Sequence, residues 1–200
     1  ELRKKILSNQ LPPNTRLKEY EWAKKIGVSR MAVREALTRL LGEDLVVFGE
    51  KGGYFVKPLL RADIHEIREL REVMELGAIR LAFKKMGKEQ YAKLEKICDD
   101  FTAMVKKGYY NGALEADIKF HETLVEYSGN SKLRQVYRSS HIPLFHQKLG
   151  KTQVGIDDYE QTDHEHRQIV KALKSKNLAL AEETIVKHFA RGEAVVLDLD

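Results

Sequence analysis

The spacing of apolar residues divides the chain into an N-terminal part of short mixed elements and a C-terminal part that is helical throughout. In the N-terminal part, short helical patterns precede two β-branched and aromatic runs at residues 45–48 and 54–56. A glycine-rich segment separates these runs, which predicts a β-hairpin. Further on, apolar residues recur every three to four positions and predict about six helices. We expect these helices to cover residues 63–86, 88–107, 112–127, 132–148, 159–174 and 177–197.

A tight turn and a short exposed helix are predicted in the middle of the N-terminal part. Gly27 supplies the backbone freedom that a sharp corner between helices needs, and Ser29 can cap the next helix. The apolar residues that follow would hold this helix against a small core, which leaves Arg30, Met31 and Arg34 near its free N-terminal end. A recognition helix presents base-reading side chains from this end to the major groove. The alternative is an ordinary surface helix with solvated arginines.

The predicted hairpin follows this helix and carries Lys51, Gly52 and Gly53 at its tip. Small residues at such a tip allow a close approach to a phosphate backbone or to the minor groove. Three helices followed by a hairpin predict a winged helix-turn-helix. Because the chain begins with Glu1 and no methionine, we expect the first of these helices to be clipped at its start.

The distribution of charge favours the same interpretation. Residues 1–57 contain twelve Lys and Arg against seven Asp and Glu, whereas residues 58–200 contain 23 of each. The net charge of +5 therefore resides entirely in the predicted DNA-binding part. Concentrated positive charge produces the phosphate attraction that drives non-specific DNA binding.

Residues 11–57 resemble the N-terminal domain of the GntR-type bacterial transcription regulators. The resemblance implies that two arginines of the recognition helix and a wing glycine contact operator DNA, which correspond to Arg30, Arg34 and Gly52 or Gly53. Tyr20 stands where several members have a DNA-contacting arginine, so it is also a candidate. The matching segments are Leu11-Pro12-Pro13, Leu17-Lys18-Glu19, Gly27-Val28-Ser29-Arg30, Val33-Arg34-Glu35-Ala36-Leu37, Arg39-Leu40 and Gly52-Gly53.

Length and composition indicate two domains and a cytoplasmic location. Two hundred residues suit a small domain at 1–57 and a larger one at 63–200, joined by a linker at 58–62. The single cysteine, Cys98, excludes an intrachain disulfide and fits a reducing compartment. No run of about eighteen apolar residues is present, so we expect no membrane partner.

Four polar residues interrupt the apolar faces of the predicted C-terminal helices. Asp117 and His121 are four residues apart and project from one face, and His166 and His188 lie within the apolar stripes of two later helices. A buried carboxylate costs several kcal/mol unless a cation or hydrogen bonds compensate it. Three imidazoles and one carboxylate form a suitable site for a divalent transition ion. The alternative is a set of hydrogen-bonded core residues that bind no metal.

Three other histidines are weaker candidates for this site. His164 differs from His166 by two residues, hence by about 200° around the helix. His141 and His146 flank Pro143, where we expect the fourth helix to bend. We interpret this pair as solvent-exposed or pocket-rim residues.

Residues 63–190 look like the helical ligand-sensing domain of the fatty-acid-regulator branch of these regulators, in its shorter six-helix variant. The resemblance implies that Asp117, His121, His166 and His188 bind a divalent metal and that the effector is a small carboxylate. Zinc is the expected ion, with nickel or manganese as alternatives. The matching elements are Glu69-Leu70-Arg71 with Glu75, Asp117 with His121, Ser128-Gly129-Asn130, Glu165-His166 with Ile169, and His188.

The expected effector contacts are Arg71 and Asn130. An arginine at position 71 would neutralise the end of the organic acid that lies away from the metal. Arg71 can also be interpreted as a solvated helix residue paired with Glu75, four residues along.

The predicted fold is mainly α, with an N-terminal winged helix-turn-helix followed by an antiparallel all-helical bundle. The predicted function is a homodimeric, metabolite-responsive transcription regulator that binds a palindromic operator, and repression is the commoner behaviour in the resembled family. Two alternatives use the same Asp and His residues: a regulator for which the ion is the signal, and a metalloenzyme. For the enzyme, the candidate bases Glu122 and Glu165 adjoin ligands in sequence, and we expect both to point away from the site.

Overall fold

A computed structural model describes residues 1–7, 10–58, 60–140 and 155–198 of the chain. The described residues fall into two compact units, with the first boundary between Leu60 and Arg61. In the first unit the helices are α1 (Leu2–Leu7), α2 (Glu19–Ile26) and α3 (Arg30–Gly42), and the strands are β1 (Arg16–Leu17), β2 (Val46–Phe48) and β3 (Tyr54–Val56).

The three strands of the first unit form one antiparallel sheet. Strand β3 lies between β1 and β2. Phe55 of β3 is opposite Arg16 of β1 on one side and opposite Val47 of β2 on the other. The predicted hairpin of β2 and β3 is therefore confirmed. Strand β1 is an addition, because two residues after a proline turn show no alternation from which a strand could be predicted.

The corner between α2 and α3 has the predicted chemistry. Gly27 ends α2 in the left-handed region, with φ at 77°, and the Ser29 hydroxyl accepts a hydrogen bond of 3.1 Å from the Ala32 amide. Apolar side chains from all three helices and the sheet hold this corner in place. The buried core consists of Leu2, Ile6, Leu17, Trp22, Ala23, Val33, Leu37, Leu40, Leu45, Val46 and Val56.

The second unit is a helical bundle. The helices are α4 (Arg61–Phe83), α5 (Lys88–Lys106), α6 (Tyr110–Tyr127), α7 (Ser131–Ser139), α8 (Ile156–Lys174) and α9 (Leu178–Asp198). Helix α5 packs against α6 and α8, helix α9 packs against α4 and α8, and α4 also packs against α6. The predicted fold class, a winged helix-turn-helix followed by a helical bundle, is confirmed.

Several helix bounds differ from the predicted ones. Helix α4 begins at Arg61, inside the predicted linker, and ends at Phe83 instead of residue 86. The predicted bend at Pro143 lies outside the described residues. Among the described helices, none has an apolar stretch of the length that crossing a membrane requires.

The core of the bundle contains aromatic and aliphatic residues from five helices, together with buried polar side chains. Its apolar members include Ile79, Leu94, Phe120, Ile169 and Phe189. The buried charged and imidazole side chains lie on α4, α6, α8 and α9, and they are Arg71, Glu75, Asp117, His121, Glu165, His166 and His188.

Candidate functional site

The four residues predicted as metal ligands come together in the helical unit. Asp117 and His121 lie one turn apart on α6, His166 lies on α8, and His188 lies on α9. One donor atom from each residue lies within 4.8 Å of the donor atoms of the other three. All four side chains are buried. Three helices that are distant in sequence therefore supply one donor set of three nitrogens and one oxygen.

The donor atoms approach one another closely. The Nε2 atoms of His121 and His188 are 3.2 Å apart, and Asp117 Oδ1 lies 3.7 Å from His121 Nε2 and 3.3 Å from His166 Nε2. The His166 Nε2 atom is buried and makes no hydrogen bond among the described residues. A buried nitrogen with no hydrogen bond beside an anionic oxygen is the arrangement that a metal ion would satisfy.

Two carboxylates outside the donor set orient two of the imidazoles. Nδ1 of His121 lies 2.6 Å from Glu75 Oε2, and Nδ1 of His188 lies 2.7 Å from Glu165 Oε2. An Nδ1–H that donates to a carboxylate leaves the Nε2 lone pair free, as in the carboxylate–histidine pairs of metal sites. Two such lone pairs would face each other at 3.2 Å and repel unless a metal ion lies between them or one of the two nitrogens carries a proton. The donor set therefore fits a metal ion.

The contact of Glu165 corrects an expectation from the sequence. Glu165 does not point away from the site, because α9 packs beside α8 and places the His188 ring against this carboxylate. The position of Glu165 next to His166 in sequence does not predict this contact, because its partner His188 lies 23 residues away.

Each orienting carboxylate is itself held by hydrogen-bond donors. Arg191 donates to both oxygens of Glu165 at 2.9 and 2.8 Å. The Tyr137 hydroxyl donates to Glu75 Oε1 at 2.7 Å, and Arg71 Nε donates to the same oxygen at 3.2 Å. Residues from α4, α7, α8 and α9 thus hold the imidazoles in place around the donor set.

The electrostatic environment keeps both orienting carboxylates ionised. Burial by itself would raise the pKa of Glu75, but the facing His121 and Arg71 lower it to about 2. Burial would also raise the pKa of Glu165, whereas hydrogen bonds from His188 and Arg191 lower it well below its usual range. Both groups are therefore anionic acceptors at neutral pH.

The pKa values of the three imidazoles shift in different directions, although burial acts on all three alike. Burial lowers the pKa of His188 to about 3 and also lowers the pKa of His166, so both rings are neutral at pH 7. Burial would lower the pKa of His121 too, but the neighbouring Glu75 raises it above its usual value. Neutral imidazole is the form that binds a metal.

The two predicted effector residues occupy different environments. Arg71 is only 3% exposed, and its guanidinium carbon lies 4.4 Å from the centre of the Phe189 ring. The interpretation of Arg71 as a solvated residue is therefore wrong, although its predicted pairing with Glu75 is present. Asn130 is exposed, and its carboxamide oxygen caps α7 by accepting from the amides of Lys132 and Leu133. An effector contact by either residue stays a prediction.

The competing histidines lie away from the donor set or outside the described residues. His164 is exposed, and its ring nitrogen lies 2.7 Å from the Gln168 carboxamide nitrogen. The helical rotation between His164 and His166 explains why only the second faces the core. His141 and His146 lie outside the described residues.

A second candidate surface lies on the first unit. Arg30 and Met31 are exposed at the start of α3, and Arg34 is exposed one turn further on. Tyr20, on the first turn of α2, is also exposed. These four side chains have the accessibility that base or phosphate contacts require.

The tip of the hairpin has the conformation that glycine permits. Gly52 and Gly53 have φ angles of 80° and 97°, and the neighbouring Lys51 is exposed. The Arg16 guanidinium lies against this tip, since a Cβ atom added to Gly53 would come within 3.3 Å of its Nε atom. The sequence pattern does not indicate Arg16 as a candidate, because it does not predict β1.

Arg34 has a partner that its sequence neighbourhood does not indicate. Its Nε and Nη2 atoms donate to the two carboxylate oxygens of Glu19 at 2.8 and 2.9 Å, and Arg30 Nη2 lies 3.8 Å from the same carboxylate. These residues are 15 positions apart and meet only because α2 packs against α3.

The first unit is a winged helix-turn-helix with an exposed arginine-bearing helix. The second is a helical bundle with a buried Asp and His cluster. This combination defines a class of bacterial regulators. The family model "Bacterial regulatory proteins, gntR family" matches residues 1–56, and the FCD domain model matches residues 66–191. The chain therefore belongs to the GntR family of DNA-binding transcription regulators and carries an FCD domain. Members of this class are regulators, which confirms the prediction that the chain is not an enzyme.

Individual relatives agree with this assignment. The HTH-type transcriptional regulator YdhC of Bacillus subtilis is 29% identical over 94% of this chain and 84% of its own length. The gluconate operon transcriptional repressor of Bacillus licheniformis is 28% identical over 100% of this chain and 83% of its own length. The solved structure of E. coli McbR/YncC has the same fold, with a TM-score of 0.85 and 18% identity over 98% of this chain and 93% of that one.

Proposed function

We propose that the chain is a homodimeric, metabolite-responsive repressor that binds a palindromic operator through its winged helix-turn-helix. Its helical domain would bind a divalent transition metal and a small carboxylate effector. The observation that carries this proposal is the buried set of three imidazole nitrogens and one carboxylate oxygen, oriented by Glu75 and Glu165. A DNA-binding regulator of this kind acts in the cytoplasm, where the chromosome lies.

The donor set favours zinc, with nickel and manganese as alternatives. Three imidazole nitrogens and a single carboxylate oxygen are ligands that suit first-row divalent ions. Four protein donors leave one or two positions for another ligand on a five- or six-coordinate ion. The ion would supply a Lewis-acidic centre to which a carboxylate of the effector binds.

Arg71 supports a carboxylate as the effector. Its guanidinium is buried on α4. Burial by itself would lower its pKa, but the paired Glu75 raises it, with smaller contributions from Tyr137 and Asp117. A buried arginine attracts a second anionic or polar end of an organic acid through charge-assisted hydrogen bonds. A relative represses a gluconate operon, and gluconate is a small carboxylate. Asn130 stays a second candidate for an effector contact, although its carboxamide oxygen already caps α7.

A thermal-shift screen of small organic acids tests the effector proposal. The metal-loaded protein should melt at a higher temperature with the right acid, since a native-state ligand at a hundredfold excess over Kd adds about 2.7 kcal/mol of stability. The metal-free protein is the control and should respond much less. An acid that stabilises both forms equally would show that the effector does not touch the metal. Release of DNA by metal alone would favour the alternative in which the ion is the signal.

Two-fold symmetry of the regulator would explain a palindromic operator. The outward face of α4 supports a dimer, because it presents Leu70, Val73 and Leu81 to solvent, with Val73 73% exposed.

Effector binding would change how the helices pack and hence the spacing of the two DNA-binding units. Such coupling amounts to about 1–3 kcal/mol in known allosteric systems.

Replacing Arg34 by alanine tests the DNA-binding surface. Binding to an operator sequence selected in vitro should weaken by roughly 1–3 kcal/mol if Arg34 contacts a base. Arg39, exposed near the other end of α3, supplies the matched control. Fluorescence anisotropy gives the affinity, and sedimentation of the complex gives two chains per duplex if the proposal is right. Unchanged operator affinity of R34A would refute the proposed base contact.

A further inference from the structure

Glu19 is the carboxylate beside the two arginines at the exposed end of α3. It is the first residue of α2, and its side chain is 18% exposed, against 54% for Arg34 and 65% for Arg30. Both oxygens of Glu19 accept hydrogen bonds from Arg34. The Ser29-capped start of α3 and the packing of α2 on α3 hold the two residues in register.

The pairing leaves part of the Arg34 guanidinium available to a ligand. A guanidinium carries five N–H donors, and Glu19 takes one from Nε and one from Nη2. The remaining donors, on Nη1 and Nη2, lie on the side of the guanidinium away from Glu19. Guanine presents O6 and N7 to two parallel N–H groups of an arginine. A guanidinium whose plane is already held loses less rotational freedom when it binds a base.

The carboxylate also has an electrostatic effect on DNA binding. It is ionised at neutral pH, because the hydrogen bond from Arg34 lowers its pKa below the usual value. A negative charge at this position opposes the phosphate attraction that the basic unit exerts on any DNA sequence. Glu19 would therefore weaken contacts that carry no sequence information and support the contact that does.

We propose that Glu19 determines sequence specificity by holding the Arg34 guanidinium in the base-reading orientation while its charge suppresses binding to DNA of unrelated sequence. This inference rests on the proposed base contact of Arg34. The chemical class of the partner is double-stranded DNA with a guanine at the position that Arg34 reaches.

Glu21 provides a matched control for Glu19. It also lies in the first turn of α2, so its charge has a similar relation to the helix dipole. It is exposed and pairs with Lys18 at 2.7 Å instead of with an arginine of α3. The variants E19Q and E21Q remove the same charge from the same helix turn, and they differ in the contact with Arg34.

The experiment measures the affinities of the full chain and its variants for two duplexes at one salt concentration. One duplex has a random sequence, and the other is selected in vitro with the wild-type protein. We expect E19Q to bind the random duplex more tightly and its ratio of selected to random affinity to fall by about fivefold or more. We expect E21Q to keep the wild-type ratio. The E19D variant keeps the charge but shortens the side chain, so its ratio should fall without tighter binding to random DNA.

The inference is overturned if the E19Q ratio equals that of the wild type. An equal loss of affinity for both duplexes is one form of this outcome, and it would show that Glu19 does not set specificity. If E19Q does not fold, as judged by its melting temperature, the E19D ratio decides the question in the same way. The R34A variant, measured in parallel, separates the two proposals. A wild-type ratio of selected to random affinity for R34A refutes the base contact. A low ratio for R34A together with a wild-type ratio for E19Q refutes only the role of Glu19.

Discussion

Replacing His166 by alanine should abolish stoichiometric metal binding. His166 supplies one of four donors from a helix of its own, and its Nε2 atom makes no hydrogen bond among the described residues. Its removal leaves three donors and a gap in the buried site, so elemental analysis of the purified protein should fall from about one metal per chain to almost none. His188 to alanine should behave alike, since its Nε2 lies 3.2 Å from that of His121.

His164 offers a matched control for this experiment. It lies on the same helix, two residues away, and its side chain is exposed. The H164A variant should retain the full metal content. If H166A and H188A both kept their metal, the ion would be bound elsewhere and the proposed donor set would be wrong.

Replacing Glu75 by glutamine should destabilise the metal-free helical unit by about 3–5 kcal/mol, because removal of one partner leaves a buried charge without compensation. Glu75 is fully buried and bonds to Arg71, His121 and Tyr137. Urea unfolding followed by circular dichroism measures the change. The contribution of the carboxylate should also depend on pH, since its pKa is lowered from 4.5 to about 2 in the folded chain. It is fully present above pH 4.5 and is lost as the pH falls towards 2.

Glu72 provides the comparison for Glu75. It lies on the same helix and forms an ion pair with Arg68, but both side chains retain access to solvent. The E72Q variant should lose less than Glu75→Gln, about 1 kcal/mol, because this pair is only partly buried. Equal losses for E72Q and E75Q would contradict the role assigned to the buried cluster.

The predicted donor set shows what helical periodicity can predict and what it cannot. Asp117 and His121 had to share a face because they are four residues apart, and His166 and His188 had to face the core because apolar residues surround them in sequence. Periodicity places a side chain on a face of its own helix. It does not say which helix packs against that face, so the meeting of the four residues needed either the family resemblance or the structure.

The orienting carboxylates illustrate what the sequence could not provide. Glu75 meets His121 across 46 positions and Glu165 meets His188 across 23. Neither pair has a local spacing rule, and an acidic residue on a helix is ordinarily solvated. Only the packing of α4 against α6 and of α8 against α9 brings these groups together.

The sequence alone determined the local elements: the glycine corner, the serine cap, the hairpin, the helices of the bundle, and the faces on which the chemically active residues lie. Short-range backbone preferences and side-chain periodicity set these features, and both act within a few residues. The tertiary structure decided the burial of Arg71, the ion pair of Glu19 with Arg34 and the positions of Glu75 and Glu165. These depend on contacts between helices that are distant in sequence, where the free energy of packing the whole core selects the neighbours.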